Sequence, residues 1–368
     1  MDIAPFLKLM VEKGGSDMFF SVGANPNVKI EGKTVPVGKH TLDSGTLQRL
    51  ADSIMDAEQK NTFREKLELN LGFTLPDIGR FRANFYYQRG EVAMVLRHIK
   101  DQVPSLRALG MPAMLEDLIL GKRGLIFVVG ATGSGKSTTL AAMLDHRNQN
   151  ETGHILTIED PIEFVHPHKQ SVVDQREVGI DTLSYGQALK NALREAPDLI
   201  MIGEVRDVET MQHAVHFAET GHLCLTSLHA SNTSQAIERI INFFPEDSRN
   251  RLLQDLSLHL SAIVAQRLVP GVNGKRVAAV EVMPKTPHVS ELIERGQIGD
   301  LKDFLDEHKD DRIQTFDQSL YELYKAGRIT PREAVHYADS QHNVRMKIEF
   351  EAPGTFSTLK EADLSIYE

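Results

Sequence analysis

Residues 124 to 140 read GLIFVVGATGSGKSTTL, and this stretch decides the fold. Its first half is an apolar run, which is typical of a strand buried on both faces of a parallel sheet. The next residues, Gly130 to Ser137, match the spacing G-x-x-x-x-G-K-[ST] in full, and a helical pattern follows. Glycines let backbone N–H groups turn toward phosphate oxygens, and the helix presents its positive end to the same place. The predicted ligand is therefore the phosphate chain of a nucleotide.

The predicted phosphate-binding residues are consecutive. They are Gly130, Ala131, Thr132, Gly133, Ser134, Gly135, Lys136, Ser137 and Thr138. Lys136 brings an ammonium to the β- and γ-phosphates, and the Ser137 hydroxyl is a ligand for Mg²⁺. The alternative, a chance glycine-rich turn, requires strand, loop, lysine and serine to coincide. We therefore expect ATP and Mg²⁺ as cofactors.

The sequence around this loop predicts a doubly wound α/β domain. Mostly apolar runs at 125–129, 155–158, 199–202 and 223–226 predict buried parallel strands, and helical patterns at 139–144, 185–193 and 208–218 lie among them. Such domains bind ligands beyond the carboxyl ends of their strands.

The remaining chain predicts further segments. Residues 1–100 mix helical and alternating patterns, which indicates a small α+β domain with a half-exposed antiparallel sheet. Pro104, Gly110 and Pro112 predict a linker over 101–113, before an ATPase domain at 114–299. Helices are expected within 300–345, and the tail from 346 to 368 is expected to be extended or disordered.

Two acidic clusters follow predicted strands, where hydrolysis needs them. The first, 159–163, contains Glu163, and the second begins with Gly203 and Glu204. Glu204 can hold Mg²⁺ or orient the attacking water, and Glu163 can act as general base, because an enclosed carboxylate near phosphate and metal can do either. Which of the two is the base stays open, and solvated charge at strand ends is the alternative.

Other candidate residues are one histidine and a set of arginines. His229 follows a strand on the ligand side, so it can report on the γ-phosphate as part of the catalytic set. Four arginines of the N-terminal region, at positions 80, 82, 89 and 97, can supply a cation in trans to the transition state. From pattern alone, a basic strand face is the favoured interpretation of that cluster.

Composition excludes several classes of protein. The formal net charge of −10 argues against a nucleic-acid motor, which usually shows a basic excess. The one cysteine, Cys224, cannot form an internal disulfide or a four-cysteine zinc module. No run approaches the ~20 apolar residues that span a bilayer, and Asp2 stands where a secretory signal carries positive charge. We expect a cytoplasmic protein without a transmembrane segment.

Four motifs together resemble those of the type II and type IV secretion ATPases. They are the phosphate loop, the acidic box at 157–163, the Walker-B-like 203–207 and the histidine box at 221–229. Gly15-Ser16-Asp17 and Arg80-Phe81-Arg82 are similar to the pilus retraction branch, which comprises PilT-like and PilU-like ATPases. The resemblance implies a PAS-like N-terminal domain, a RecA-like ATPase domain and a homohexamer. It also implies that ATP binds between the domains and that Arg82 and Arg97 reach the phosphates.

One departure makes the chain look more like the PilU-like, accessory members. PilT-like proteins carry Ala-Ile-Arg-Asn-Leu-Ile-Arg after the last ATPase strand, whereas residues 288–294 read HVSELIE. The resemblance thus implies ATP-driven pilus retraction for twitching motility or DNA uptake, beside a companion PilT-like ATPase. The implied location is the inner-membrane base of the pilus, at a platform protein. The alternatives are a nucleotide-gated, non-hydrolysing scaffold that docks on the companion and a nucleic-acid translocase.

Overall fold

The computed structural model describes residues 2–30, 32–100, 102–307 and 312–356. The chain divides into two compact units. The first comprises Met1–Gln102 with Ile162–Pro167, and the second comprises Val103–Pro161 with His168–Glu368. From Val103 onward, the segment expected to be a linker is therefore part of the second unit, where Leu106 and Met111 are buried.

The first unit is a six-stranded antiparallel sheet with three helices. Its strands are β1 (Asp17–Ser21), β2 (Asn27–Ile30), β3 (Lys33–Pro36), β4 (Glu68–Leu75), β5 (Gly79–Gln88) and β6 (Glu91–Ile99), in the order β3-β2-β1-β6-β5-β4. Its helices are α1 (Ala4–Glu12), α2 (Ser44–Ile54) and α3 (Ala57–Lys66).

The sheet of the first unit has one covered face, as the alternating sequence pattern predicts. Along β5, Phe81, Ala83 and Phe85 are buried, whereas the residues between them are half-exposed. Because successive side chains of a strand point to opposite faces, the buried set packs on the helices in one core. The predicted small α+β domain is confirmed.

A segment distant in sequence also belongs to the first unit. The backbone N–H of Val165 donates to the Lys100 carbonyl at 3.0 Å, and Phe164 forms a parallel bridge with Lys100. Because these residues follow Pro161 of the second unit, the chain crosses between the units there, which the sequence pattern did not indicate.

The second unit is built on a seven-stranded sheet in the order β13-β12-β7-β11-β10-β8-β9. Its strands are β7 (Gly124–Val129), β8 (Gly153–Glu159), β9 (Ser171–Glu177), β10 (Leu199–Ile202), β11 (Leu223–Leu228), β12 (Leu260–Pro270) and β13 (Arg276–Pro284). All neighbouring pairs are parallel except β12 with β13.

Helices cover both faces of this sheet. The helices of the second unit are α4 (Leu106–Leu109), α5 (Met114–Ile119), α6 (Lys136–Asn150), α7 (Tyr185–Ala192), α8 (Val208–Glu219), α9 (Thr233–Phe243), α10 (Glu246–His259), α11 (Pro287–Glu294), α12 (Asp300–Glu307), α13 (Phe316–Lys325), α14 (Pro331–His336) and α15 (Gln341–Glu351). Among the described residues, none of the helices has the length and apolar character needed to cross a membrane.

The centre of the sheet confirms the predicted α/β class. Phe127 of β7 belongs to one apolar cluster and Val128 to another, so both faces of the strand are covered. The four apolar runs predicted as strands correspond to β7, β8, β10 and β11. Burial on both faces explains why these strands are continuous apolar runs.

The C-terminal part differs from the expectation of an extended tail. Helix α15 continues through Glu351, and its residues Val344 and Ile348 are buried. The Ser340 side chain caps the helix by accepting from the backbone N–H of Asn343. The expectation was therefore wrong for residues 346–351, because packing of two apolar residues stabilises a helix whose sequence signal is weak. The expectation for 357–368 lies outside the described residues.

Candidate active site

The loop between β7 and α6 requires glycine at two positions. A Cβ on Gly130 would lie 2.4 Å from the Ser134 Oγ and 2.6 Å from the Gln266 carbonyl oxygen. Gly135 has a φ of +93°, and a Cβ there would lie 2.7 Å from the Gln266 Nε2. Another residue at 130 would push the loop away from the β12 backbone, and one at 135 would meet the Gln266 side chain and strain the left-handed backbone.

This loop presents unused polar groups. The Ser134 hydroxyl is buried and has no hydrogen-bond partner within the described part of the chain. Gly135 occupies the N-cap position of α6, where no described side chain caps the first amides. Orphan N–H groups at a helix start form an anion site, so the loop fits the phosphate chain of a nucleotide.

Beneath the loop, β12 holds the start of α6 in place. The Thr139 hydroxyl donates to the Gln266 Oε1 at 2.7 Å, and both residues are buried. This contact joins positions 127 apart in sequence. The hydrogen bond fixes the position of the first turn of α6 relative to β12, and therefore the direction in which the first amides of the helix point.

Lys136 lies at the centre of the site. Its Nζ is 2.8 Å from the Gly130 carbonyl oxygen, 3.1 Å from that of Ala131 and 3.4 Å from the Nδ1 of His229. An ammonium has three protons, so these contacts use all of them. Burial lowers the pKa of Lys136, and the negative charge of Glu204 partly opposes that effect.

His229 connects the lysine to a carboxylate. Its Nε2 lies 3.0 Å from the Oε1 of Glu204. Since the Lys136 ammonium can only donate, Nδ1 accepts, and the proton of a neutral imidazole then lies on Nε2 and is donated to Glu204. The hydrogen bonds thus select one tautomer of His229 and couple Lys136 to Glu204 through it.

The second oxygen of Glu204 is held from the other side. The Arg206 Nε donates to the Glu204 Oε2 at 2.8 Å, and the Arg206 Nη1 lies 3.7 Å from the Oδ2 of Asp160. The Glu204 side chain is only 16% exposed, so its charge is shielded from water and well placed to act on a bound ligand. The result is a line of charged and polar groups from Lys136 to Asp160.

The sheet order explains this convergence. Lys136 follows β7, His229 follows β11, Glu204 follows β10 and Asp160 follows β8. These strands are consecutive neighbours and parallel, so their carboxyl ends meet at one edge. The structure therefore brings the phosphate loop, the second acidic cluster and the histidine box together at this edge.

Gly203 is the point of closest packing at this edge. A Cβ there would lie 2.9 Å from the Tyr185 hydroxyl, and the Ser227 hydroxyl donates to the Gly203 carbonyl at 2.7 Å. Burial raises the pKa of Tyr185, and the negative charge of Asp160 raises it further. Tyr185 therefore stays a neutral hydroxyl under the acidic groups, and glycine at 203 leaves room for it.

Glu163 and the four candidate arginines, among them Arg82 and Arg97, lie in the first unit. Glu163 is an exposed residue of the segment Ile162–Pro167. Arg82 and Arg97 are opposite each other on β5 and β6. The Arg97 Nε donates to the Oδ1 of Asp17 at 2.8 Å, so this arginine is ion-paired within its own unit.

Two cavities of the second unit adjoin the loop. One, of about 480 Å³, is lined by Gly135, Thr138, apolar residues of α4 and β12, and Arg276. The other, of about 450 Å³, includes Ala131 and His229 and extends along the polar face of α9. The two ends of the loop thus open into different spaces.

The described residues contain no group of three histidine, cysteine or acidic side chains placed to hold a metal ion by themselves. Mg²⁺ bound with a nucleotide needs few protein ligands, because phosphates and water complete its shell. Ser137, which is exposed at the start of α6, and Glu204 are oxygen donors of the kind it takes. These residues fit such an ion.

Comparison with known proteins identifies the family. Residues 64–326 match the model of the type II/IV secretion system protein family. The chain is 51% identical to the type IV pilus ATPase PilU of Pseudomonas aeruginosa, over 95% of this chain and 92% of that one. It is 38% identical to the retraction ATPase PilT of the same organism, over 93% and 100%.

The chain belongs to the type II/IV secretion ATPases, on the pilus retraction branch. A crystal structure of the pilus retraction motor PilT with bound ADP superposes with a TM-score of 0.86 at 40% identity, covering 92% of this chain and 98% of that one. The resemblance seen in the four motifs and the expected P-loop ATPase fold are confirmed. This secretion ATPase is an ATP-hydrolysing enzyme.

Sequence reasoning missed several residues of the site. Arg206 lies within the motif 203–207, but it was assigned no role from the sequence. Its position two residues after Glu204 is the local feature that could have indicated an ion pair with that carboxylate. Gln266 and Tyr185 gave no signal, because their partners are distant in sequence. Arg276, whose Nη1 lies 3.4 Å from the Gly133 carbonyl oxygen, is a further contact of this kind.

We expect Lys136→Ala to lower the kcat of ATP hydrolysis by at least about 10²-fold, because one cation is lost where charge develops. A coupled assay of phosphate release measures this. The matched control is Lys190→Ala, since Lys190 is 67% exposed and pairs with Glu209 outside the site. Normal turnover by the Lys136 variant would contradict the assignment of the loop.

Proposed function

We propose that this secretion ATPase is a hexameric, PilU-like motor of type IV pilus retraction that acts beside a companion PilT-like ATPase. The observation that carries the hydrolytic role is the line Lys136–His229–Glu204, which places a cation, an imidazole and a carboxylate at the edge of the phosphate loop. Identity to PilU over nearly the whole of both chains supports the role in retraction.

The two ends of the loop have different surroundings, and we orient the nucleotide by this difference. Lys136, with Ala131 and His229 on its side, binds the terminal phosphate, and the Thr138 end faces the cavity of about 480 Å³. Leu109 and Leu268 give that cavity apolar walls suited to a nucleoside. Mg²⁺, when bound, neutralises negative charge on the phosphates.

Each polar residue then has a role. Lys136 exchanges its carbonyl and imidazole partners for phosphate oxygens, and His229 thereby senses whether the terminal phosphate is present. Glu204, held by Arg206, and the Ser137 hydroxyl organise the metal and its water. Glu163 polarises the attacking water, with Glu204 as the rival base.

Two variants separate the metal role from the general base. Glu163→Gln should lower kcat by about 10²-fold or more at saturating Mg²⁺, because a general base contributes that much, with no change in the Mg²⁺ requirement. Glu204→Gln should raise the Mg²⁺ concentration needed for half-maximal turnover. Titration of ATPase activity with Mg²⁺ measures both.

The matched control is Glu209→Gln, because the Glu209 carboxylate is 57% exposed and pairs with Lys190 on the surface. It should leave both quantities unchanged. A Glu163 variant with full kcat would assign the base to Glu204 instead.

The hexamer, with Arg82 and Arg97 reaching the phosphates of a nucleotide, comes from the family resemblance. Light scattering should give six times the mass of one chain in the presence of an ATP analogue. A ring also explains how hydrolysis becomes motion, because ATP and ADP stabilise different arrangements of its parts. A monomer with and without the analogue would exclude an intersubunit site.

The accessory role is supported by α11. One side of this helix is buried through Val289, Leu292 and Ile293. The other side carries Glu291, which pairs with Arg295 at 2.7 Å. PilT-like motors carry arginines in this stretch. We propose that this altered surface makes the protein depend on a companion, at a platform protein of the cytoplasmic, inner-membrane base of the pilus.

Retraction in cells tests the whole proposal. Deletion of this gene should weaken pilus retraction and twitching or DNA uptake, and deletion of the companion retraction ATPase should stop them even when this protein is present. Complementation with Glu163→Gln, which leaves the phosphate loop intact, should fail if hydrolysis is needed and should succeed for the nucleotide-gated, non-hydrolysing scaffold. Full retraction with the companion deleted would instead indicate an independent motor.

A further inference from the structure

Arg267 of β12 touches two parts of the second unit at once. Its Nη2 donates to the Ser231 carbonyl at 3.3 Å, and Ser231 is two residues after His229. Its Nη1 donates to the Tyr337 carbonyl at 3.1 Å and lies 2.7 Å from the Oδ1 of Asp339. One guanidinium therefore joins the loop that carries His229 to the turn between α14 and α15.

This guanidinium is held firmly. Its central carbon lies 3.8 Å from the centroid of the Phe316 ring, so the planar group stacks on an aromatic face while its nitrogens donate. The Arg267 side chain is 24% exposed and that of Asp339 is 17% exposed, so water screens their ion pair only in part. A flexible ammonium cannot reproduce this stacked fork.

The turn at Asp339 is in turn fixed to other C-terminal helices. Both carboxylate oxygens of Asp317 on α13 accept from this turn, at 2.7 Å from the N–H of Asp339 and 3.0 Å from that of Ser340. The Nζ of Lys302 on α12 lies 3.8 Å from the Asp339 Oδ2. A displacement of α12, α13 or α15 would therefore shift Asp339.

The other end of the His229 loop is anchored to the sheet. The backbone N–H and the hydroxyl of Thr233 donate to the Oε1 of Glu281 on β13, at 2.9 and 2.8 Å. Glu281 is buried, so both of these hydrogen bonds are shielded from water. The segment that follows His229 is thus held at two points: at Ser231 by Arg267, whose other contacts are with the C-terminal turn, and at Thr233 by Glu281.

We propose that Arg267 is a positioning residue for ATP hydrolysis, through which the C-terminal helices control where His229 stands relative to Lys136 and Glu204. This inference rests on the proposed role of His229 at the terminal phosphate. The catalytic edge is the set Lys136, His229, Glu204 and Asp160, which follow β7, β11, β10 and β8. In this proposal the helices α12–α15 control that edge, so a partner that moves them changes turnover without touching the nucleotide.

The test is a double-mutant cycle with His229. Arg267→Met should lower kcat by about 10- to 100-fold, as small misplacements of catalytic groups do, while the dissociation constant of a fluorescent ATP analogue changes little. In the His229→Gln background, Arg267→Met should have almost no further effect on kcat, because both changes remove the same interaction. Arg267→Lys should lower kcat nearly as much as Arg267→Met, because an ammonium does not reproduce the stacked guanidinium.

The matched control is Arg176→Met. Arg176 pairs with Glu195 at 2.7 Å on the far edge of the same sheet, so its loss should leave kcat unchanged. If Arg267→Met fails to fold, as judged by circular dichroism, Asp339→Asn breaks the same link from the other side and should show the same non-additivity.

The outcomes separate this inference from the proposed function. If His229→Gln has normal kcat, the role of His229 in hydrolysis is wrong. Suppose instead that His229→Gln is impaired. If the Arg267 or Asp339 change then lowers kcat by the same factor in the His229→Gln background as in the wild-type background, these residues act independently of His229 and the inference is overturned.

Discussion

The arrangement of the catalytic edge depends on one ammonium with three protons. Lys136 donates to two carbonyls of its own loop and to His229, and the imidazole passes the interaction on to Glu204. A phosphate that draws Lys136 away from these acceptors necessarily changes the partner of His229. In the proposed function, this exchange of partners is how the presence of a terminal phosphate would reach the loop after β11.

This edge exists because of strand order. Four parallel strands end side by side, and each contributes one short segment, so residues from four parts of the chain meet without any long loop. Glycines at 130, 135 and 203 let the backbone pack against Gln266 and Tyr185. The fold thus supplies the positions, and the side chains at the strand ends supply the chemistry.

Sequence patterns predicted what depends on neighbours in the chain. The phosphate loop and the strands β7, β8, β10 and β11 have strong local signals, since apolar runs and glycine spacing arise from local constraints. The strands β12 and β13 were not predicted, and with them the contacts of Gln266 and Arg267 were missed. The placement of Glu163 in the first unit was also missed, because it follows from a chain crossing that has no sequence signature.

The most direct measurement is a crystal structure of the full chain with Mg²⁺ and a non-hydrolysable ATP analogue. We expect the terminal phosphate to lie within hydrogen-bond distance of the Lys136 Nζ, and the contact between Lys136 and His229 to be broken. A nucleotide bound away from residues 130–138, or one that leaves the Lys136–His229–Glu204 line unchanged, would contradict the account.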